Sequence, residues 1–347
     1  MKRIIAVFMA LLLTIGLTAC SSTGSDGSAE IALIISGDSV EDGSYNQTAW
    51  ESIKDYCKSN DLTCNYYSGK DDALKTAVDN GAKLVIYAGS EFETTVFNAQ
   101  KDYPDIKFFL IDGIPHDENE NYAIGDNTLC ALFAEEEAGF VAGYAAVKEG
   151  YKNLGFMGGK KLPSVKRYGY GYVQGIAKAA EEDSVKNIEI RYTYTDTFDK
   201  SKEVKDKAQS WYKDGVQVIF ACGGMSGESV MKGAEKSNGK VIGVDSDQSM
   251  LSDTVITSAK KRLGTAIEDV LKEYERGTFK GGNVFNFSAR NDGISIELTN
   301  GKLDKFTKDD YTKIMQSIIS GETAVKKDTD FSSLSDAAGS NIKVIEE

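Results

Sequence analysis

Histidine is the scarcest chemistry-bearing residue in this chain. The single imidazole, His116, sits beside Asp117, Glu118 and Glu120 in a run that reads as a solvated acidic loop. A Ser-His-Asp or Cys-His device would have to be built on that one residue, and no G-x-S-x-G elbow accompanies it. Cysteine is also sparse. Cys20, Cys57, Cys64, Cys130 and Cys222 form no CxxC pair and no His/Cys cluster, so a zinc site has no support and no metal or other cofactor is expected. Positive charge is in deficit, with 40 Lys and Arg against 53 Asp and Glu, a formal net charge of -13. Such a surface repels phosphate backbones and anionic headgroups, which argues against a nucleic-acid partner.

Long hydrophobic runs are missing too. The one apolar stretch, Ile4 to Leu17, follows Lys2 and Arg3 and is shorter than a comfortable membrane span. It runs into Leu17-Thr18-Ala19-Cys20, which resembles the lipobox of bacterial lipoproteins, where the cysteine thiol is acylated and becomes the new N-terminus. Residues 1–20 are therefore expected to be a lipoprotein signal peptide. Residues 21–29, rich in Ser and Gly, are expected to tether the folded part to the outer surface of the cell membrane. In that compartment Cys57 and Cys64 could bridge or remain free buried thiols.

What the chain does have is a series of short apolar runs that end abruptly in polar clusters. Val241-Ile242-Gly243-Val244 leads into Asp245-Ser246-Asp247-Gln248. A parallel strand covered on both faces reads this way, and ligands bind beyond the carboxyl ends of such strands. Ile31–Ile35, Leu84–Tyr87, Phe108–Ile111 and Asn153–Met157 repeat the pattern, as do Ile188–Tyr194 and Val216–Ala221. Ser44 to Gln47 has capping-box spacing, with Ser44 as N-cap, and places Tyr45 and Asn46 in a first helical turn above a strand end. Phe133 to Val147 reads as a helix carrying the chain from one lobe to the other. Val284–Phe287 and Ile294–Leu298 read as a hairpin around Asn291-Asp292-Gly293. The glycines from Gly169 to Gly175 follow a charged stretch rather than a strand, so helix packing is the expected use, not dinucleotide binding.

The 347 residues thus specify an α/β protein of two doubly wound, Rossmann-like lobes with a ligand cleft between them. The first lobe is expected over about 30–145 plus about 259–282, and the second over about 150–255 plus about 284–347.

Several stretches resemble the basic membrane lipoprotein (Bmp/Med) family, nucleoside-binding lipoproteins of ABC importers with the type 1 periplasmic-binding-protein fold. They are Asp42-Gly43-Ser44-Tyr45-Asn46-Gln47-Thr48-Ala49-Trp50, Glu137 to Ala146, Gly155 to Gly159, Ile242 to Gln248 and Thr257 to Lys260. The resemblance implies that Asp245 grips ribose hydroxyls, that Ser44, Tyr45, Asn46 and Trp50 hold the base, and that Lys260 points at the sugar. Asp38, Asp112 and Gly224 follow other strands and complete the expected ligand set. There are departures: Ser36-Gly37-Asp38 stands where the family has T-D-x-G, and Met225 and Ser226 alter the A-G-x-T-G loop. The implied function is extracytoplasmic capture of a purine nucleoside by a lipid-anchored monomer that delivers it to an importer permease. The alternatives are a sugar-binding lipoprotein of the same fold and a hydrolase using Asp245 and Asp247.

Overall fold

The computed structural model describes residues 27–69, 72–300 and 302–347. The signal segment, Cys20 and the tether up to residue 26 lie outside the described residues. Ala29, expected in the tether, is buried and donates its N–H to Asn80 O, so the folded part begins there.

The first lobe opens with β1 (Ile31–Ile35), α1 (Tyr45–Ser59), β2 (Cys64–Ser68), α2 (Ala73–Asp79) and β3 (Leu84–Ala88). It continues through α3 (Glu93–Asp102), β4 (Lys107–Ile111) and β5 (Thr128–Phe133). The second lobe holds α4 (Glu135–Lys148), β6 (Asn153–Gly158), α5 (Pro163–Glu182), β7 (Ile188–Tyr194) and α6 (Lys202–Lys213). After these come β8 (Val218–Cys222), α7 (Met225–Ser237), β9 (Lys240–Asp245) and β10 (Val255–Lys261). The chain returns to the first lobe for α8 (Leu263–Glu275) and β11 (Asn283–Phe287). It finishes in the second with β12 (Ile294–Ile296), α9 (Lys308–Ser320), α10 (Leu334–Ala338) and β13 (Ile342–Glu346).

The first sheet has the order β11-β5-β4-β3-β1-β2 and is parallel throughout. The second has the order β12-β10-β9-β8-β6-β7-β13, with β12 alone antiparallel. Both faces are covered, which is why the strands read as unbroken apolar runs. In β1, Ile31, Leu33 and Ile35 pack under α1 and α8, while Ala32 and Ile34 pack on the other face with α2 and α3. Each such Ile or Leu, fully buried, contributes about 1.5–3 kcal/mol.

The expected helix from Phe133 to Val147 is divided. Phe133 ends β5, Ala134 crosses between lobes, and α4 belongs wholly to the second lobe, where it packs on α5. Glycines allow that approach. A Cβ on Gly139 or Gly143 would lie 2.1 Å from the carbonyl oxygen of Tyr168 or Tyr172, and one on Gly171 or Gly175 would lie 1.9 Å from that of Glu136 or Phe140. The Gly169–Gly175 run is thus a helix-packing surface.

The expected hairpin does not form. β11 pairs in parallel with β5 in the first sheet, and β12 pairs with β10 in the second. The local turn signal is real, since Asp292 adopts a left-handed φ of 56°, but it joins strands of different lobes. The chain therefore crosses three times, at Ala134, Arg262 and Ser288. The crossings are tied together by Ala134 N–H to Phe287 O (2.8 Å) and Arg262 N–H to Gly293 O (2.9 Å).

Candidate functional site

Between the lobes lies a cavity of about 190 Å³, walled by the loops after β1, β3 and β4 on one side and by those after β6, β7, β8 and β9 on the other. Asp42 builds the entrance to α1. Its Oδ1 accepts the N–H groups of Ser44 and Gln47 and its Oδ2 that of Asn46, each at 2.9 Å. The Gln47 side chain reaches back to Gly43 N–H (2.9 Å) rather than to Ser44. The capping box expected on Ser44 is replaced by Asp42, because a carboxylate two residues earlier satisfies three helix donors at once. Ser44 Oγ is thereby free to donate across the cleft to Asp245 Oδ2 at 3.0 Å.

Asp245 and Asp112 are equivalent features of the two lobes. Each directly follows or ends a central strand, β9 and β4, and each has a left-handed backbone, φ 65° and 64°. Aspartate tolerates that conformation better than most residues. Both carboxylates line the cavity. Asp245 also accepts from the Tyr168 hydroxyl at 3.3 Å. Burial pushes its carboxyl above the ordinary range, against the pull of Lys261 and Ser44.

Lys261 is the cation that holds this cluster. It is almost wholly buried, with Nζ 2.5 Å from Asp112 Oδ2, 3.2 Å from Glu135 Oε1 and 3.8 Å from Asp245 Oδ1. It also stands 4.7 Å from the Tyr45 ring centroid, within cation–π range. Burial would discharge it, but the three carboxylates outweigh that and hold its pKa above the usual lysine range. Burial still raises Asp112, to about 6, despite Lys261. Desolvation would raise Glu135 too, but Arg167, 2.6 Å away, and Lys261 overcome it and lower its pKa. Asp112 Oδ1 and the Tyr45 hydroxyl carry no hydrogen bond of normal geometry, although they lie close enough for the carboxylate to add to burial in raising the phenol pKa. A buried acceptor and a buried donor thus face each other in the cavity wall.

The residues expected from the sequence divide. Asp38, Tyr45, Asn46, Asp112, Gly224 and Asp245 line the cavity, Asp38 as an exposed residue of its wall. Ser44 lies behind the lining, on Asp245. Lys260 does not line the cavity. Its Nζ pairs with Glu297 at 2.6 Å on the opposite face of β10, since neighbouring strand residues point to opposite sides. Trp50 also stays outside, one helical turn beyond Asn46, where it packs edge-on against Tyr66 at 5.3 Å. His116 is not solvated as expected: it is partly buried, 3.4 Å from Glu93. Asp247 is exposed and caps Ser249, so it does not converge with Asp245 as a hydrolytic pair would.

Sequence reasoning missed Lys261, Glu135, Arg167, Tyr168 and Phe198. Phe198 had a signal, an aromatic in the polar loop after β7. Its ring lies against the backbone of Gly159, where a Cβ would come within 2.4 Å of the ring, and it lines the cavity. Glu135 had a weaker one, the triple glutamate opening α4.

Two α/β lobes, three crossovers and a polar interlobe cavity define a type 1 periplasmic-binding-protein fold. Solved structures agree: a solute-binding protein of an ABC transporter system from Aeropyrum pernix K1 superposes with a TM-score of 0.76 at 20% identity, covering 86% of this chain and 94% of that one. A LacI family regulator from Enterococcus faecium shares the fold at a TM-score of 0.56 and 12% identity, over 77% of this chain and 97% of that one. Residues 29–329 match the family described as "ABC transporter substrate-binding protein PnrA-like", and the chain belongs to that family, called Bmp. Among its relatives is the "ABC transporter nucleoside-binding protein BmpA" of Lactococcus lactis subsp. cremoris, 28% identical over 93% of this chain and 99% of that protein. Another is "Basic membrane protein A1" of Borrelia garinii subsp. bavariensis, 30% identical over 83% and 85%.

Proposed function

We propose that this substrate-binding protein captures a purine nucleoside outside the cytoplasm and hands it to the permease of an ABC importer, held to the membrane by lipid on Cys20. The observation that carries the reading is the pair of strand-end carboxylates, Asp112 and Asp245, set with Tyr45 around the cavity. Vicinal ribose hydroxyls are donors that suit the aspartates. The rings of Tyr45 and Phe198, contributed by opposite lobes, suit the faces of a base. The printed name of the Lactococcus relative points the same way.

Native mass spectrometry of freshly purified protein tests the ligand class directly, and a co-purifying nucleoside is expected. Calorimetry then compares a ribonucleoside, its 2′-deoxy form and free ribose on wild type and Asp245→Ala. Each charge-assisted bond lost costs about 1.5–3 kcal/mol, so affinity falls by about two orders of magnitude. The variant should also lose most of its preference for ribo over deoxy. Free ribose binding as tightly as the nucleoside would favour the sugar-binding alternative. For the anchor, Cys20→Ser protein should leave the membrane fraction with its affinity intact.

A further inference from the structure

At the mouth of the cavity the two lobes are joined by a contact that none of the expected ligand groups makes. Lys160, in the loop after β6, places Nζ 3.6 Å from Glu91 Oε1 in the loop after β3 of the other lobe. Glu91 is held in place by Ser36, whose Oγ donates to Oε2 at 2.9 Å from the end of β1. Lys160 also stands 5.6 Å from the centroid of Phe198. One ammonium therefore touches a cavity ring of its own lobe and a fixed carboxylate of the other.

The position within the sheets gives this pair leverage. The crossovers leave from β5 and β11 in the first sheet and from β10 and β12 in the second. β6 stands three strands from β10, and β3, which precedes Glu91, two strands from β5. At about 4.8 Å per strand the pair lies roughly 10–14 Å from the hinge side. Rotation about the crossovers separates Lys160 from Glu91 more than it separates Lys261 from Asp112, whose cation ends β10 itself.

We propose that Lys160 and Glu91 form a latch: a positioning pair that forms on closure, holds the Phe198 ring on the ligand, and sets how fast ligand leaves. The inference rests on the cleft binding a nucleoside, and it names a control on release that the ligand contacts do not supply. The pair is partly exposed, so its effect is modest, up to about fivefold. It acts on dissociation, because the two partners meet only in the closed form, which traps ligand and which ligand-free protein samples as well. Salt should erase it, since the screening length falls to about 3 Å at 1 M.

The test is stopped-flow release of 2-aminopurine riboside from wild type, Lys160→Met, Glu91→Gln, the double variant and the charge swap Lys160→Glu with Glu91→Lys. Methionine keeps an apolar stem against Phe198, so packing loss is separated from charge loss. Each single variant is expected to release the probe two- to fivefold faster at low salt with an association rate within twofold of wild type. The double variant should be no faster than either single one, and the swap should restore slow release. Additive effects, an unchanged release rate, or a swap that fails to rescue would overturn the latch. Amide exchange of segments 36–39 and 159–162 in ligand-free protein gives a second reading, faster in the single variants and restored in the swap. If wild type binds no purine nucleoside, the functional reading fails on its own. The exchange data then decide the latch, and equal protection in all variants rejects it.

Discussion

Replacing Lys261 with methionine removes the one cation shared by Asp112, Glu135 and Asp245 while keeping an apolar stem of similar length. Glu135 retains Arg167, but Asp112 and Asp245 lose their only ion-pair partner among the described residues. Breaking a buried ion pair from one side typically costs 3–5 kcal/mol, because the remaining charge stays desolvated. With about 2.1 cal/mol/K per residue of unfolding entropy, a chain of this size should melt roughly 4–7 °C lower. The loss has a pH signature. Without the ammonium, the Asp112 and Asp245 carboxyls, already raised by burial, rise further above their unfolded values. The folded variant then binds more protons than the unfolded chain, so its stability falls as pH rises through those pKa values. Wild type has Lys261 with a pKa raised above the unfolded value, a stabilisation fully present below about pH 10. The gap between the two should therefore be widest near pH 7–8 and narrow towards pH 5. Calorimetric melts of both proteins across that range measure it. A variant melting within one degree of wild type at pH 7.5, or a deficit independent of pH, would refute the reasoning. Lys260→Met, one residue away, should cost much less, because it breaks a pair whose carboxylate keeps hydrogen bonds from Thr299.

Gly143→Ala should destabilise by about 3 kcal/mol or more, since its Cβ meets the backbone oxygen of Tyr172 at 2.1 Å and only a separation of α4 and α5 relieves it; urea unfolding reads this. Asp42→Ala leaves three helix N–H groups without their acceptor, so about 2 kcal/mol of stability should go, and affinity with it, because Tyr45 and Asn46 ride on that turn. Trp50→Phe should leave nucleoside affinity within twofold, as measured by calorimetry, because the ring packs on Tyr66 outside the cavity.

How much of this was legible follows from where the determining contacts lie. Strands covered on both faces announce themselves, and β1, β3, β4, β6, β8 and β9 stand close to where their apolar runs predict. β5 did not, because only Ala134 separates Thr128–Phe133 from α4 and no turn residue marks the break. The pairing of β11 is tertiary: a valid local turn signal cannot say that its two strands belong to different sheets. Asp245 was readable from its place after a strand. Lys261 was not, because the sequence Lys260-Lys261-Arg262 does not reveal which phase of the alternation faces the cleft. Glu135, Arg167 and Tyr168 meet the site only because glycines bring α4 and α5 together, a distance no single helix encodes.

The three crossovers also order events in time. The core beneath β1 is closed by Leu263, Ala266, Ile267, Val270 and Leu271 of α8, and the first sheet gains its outer strand only with β11. A chain growing from its N-terminus therefore holds the whole of β1 to β5 with one face covered only in part, by α1, until some 275 residues have been made. Neither lobe is a segment that can finish early: the first must close contacts across more than 200 residues, and the second waits for α9 and β13. Synthesis thus yields no independently folded half before β11 completes the first sheet, and the second lobe follows only with β13.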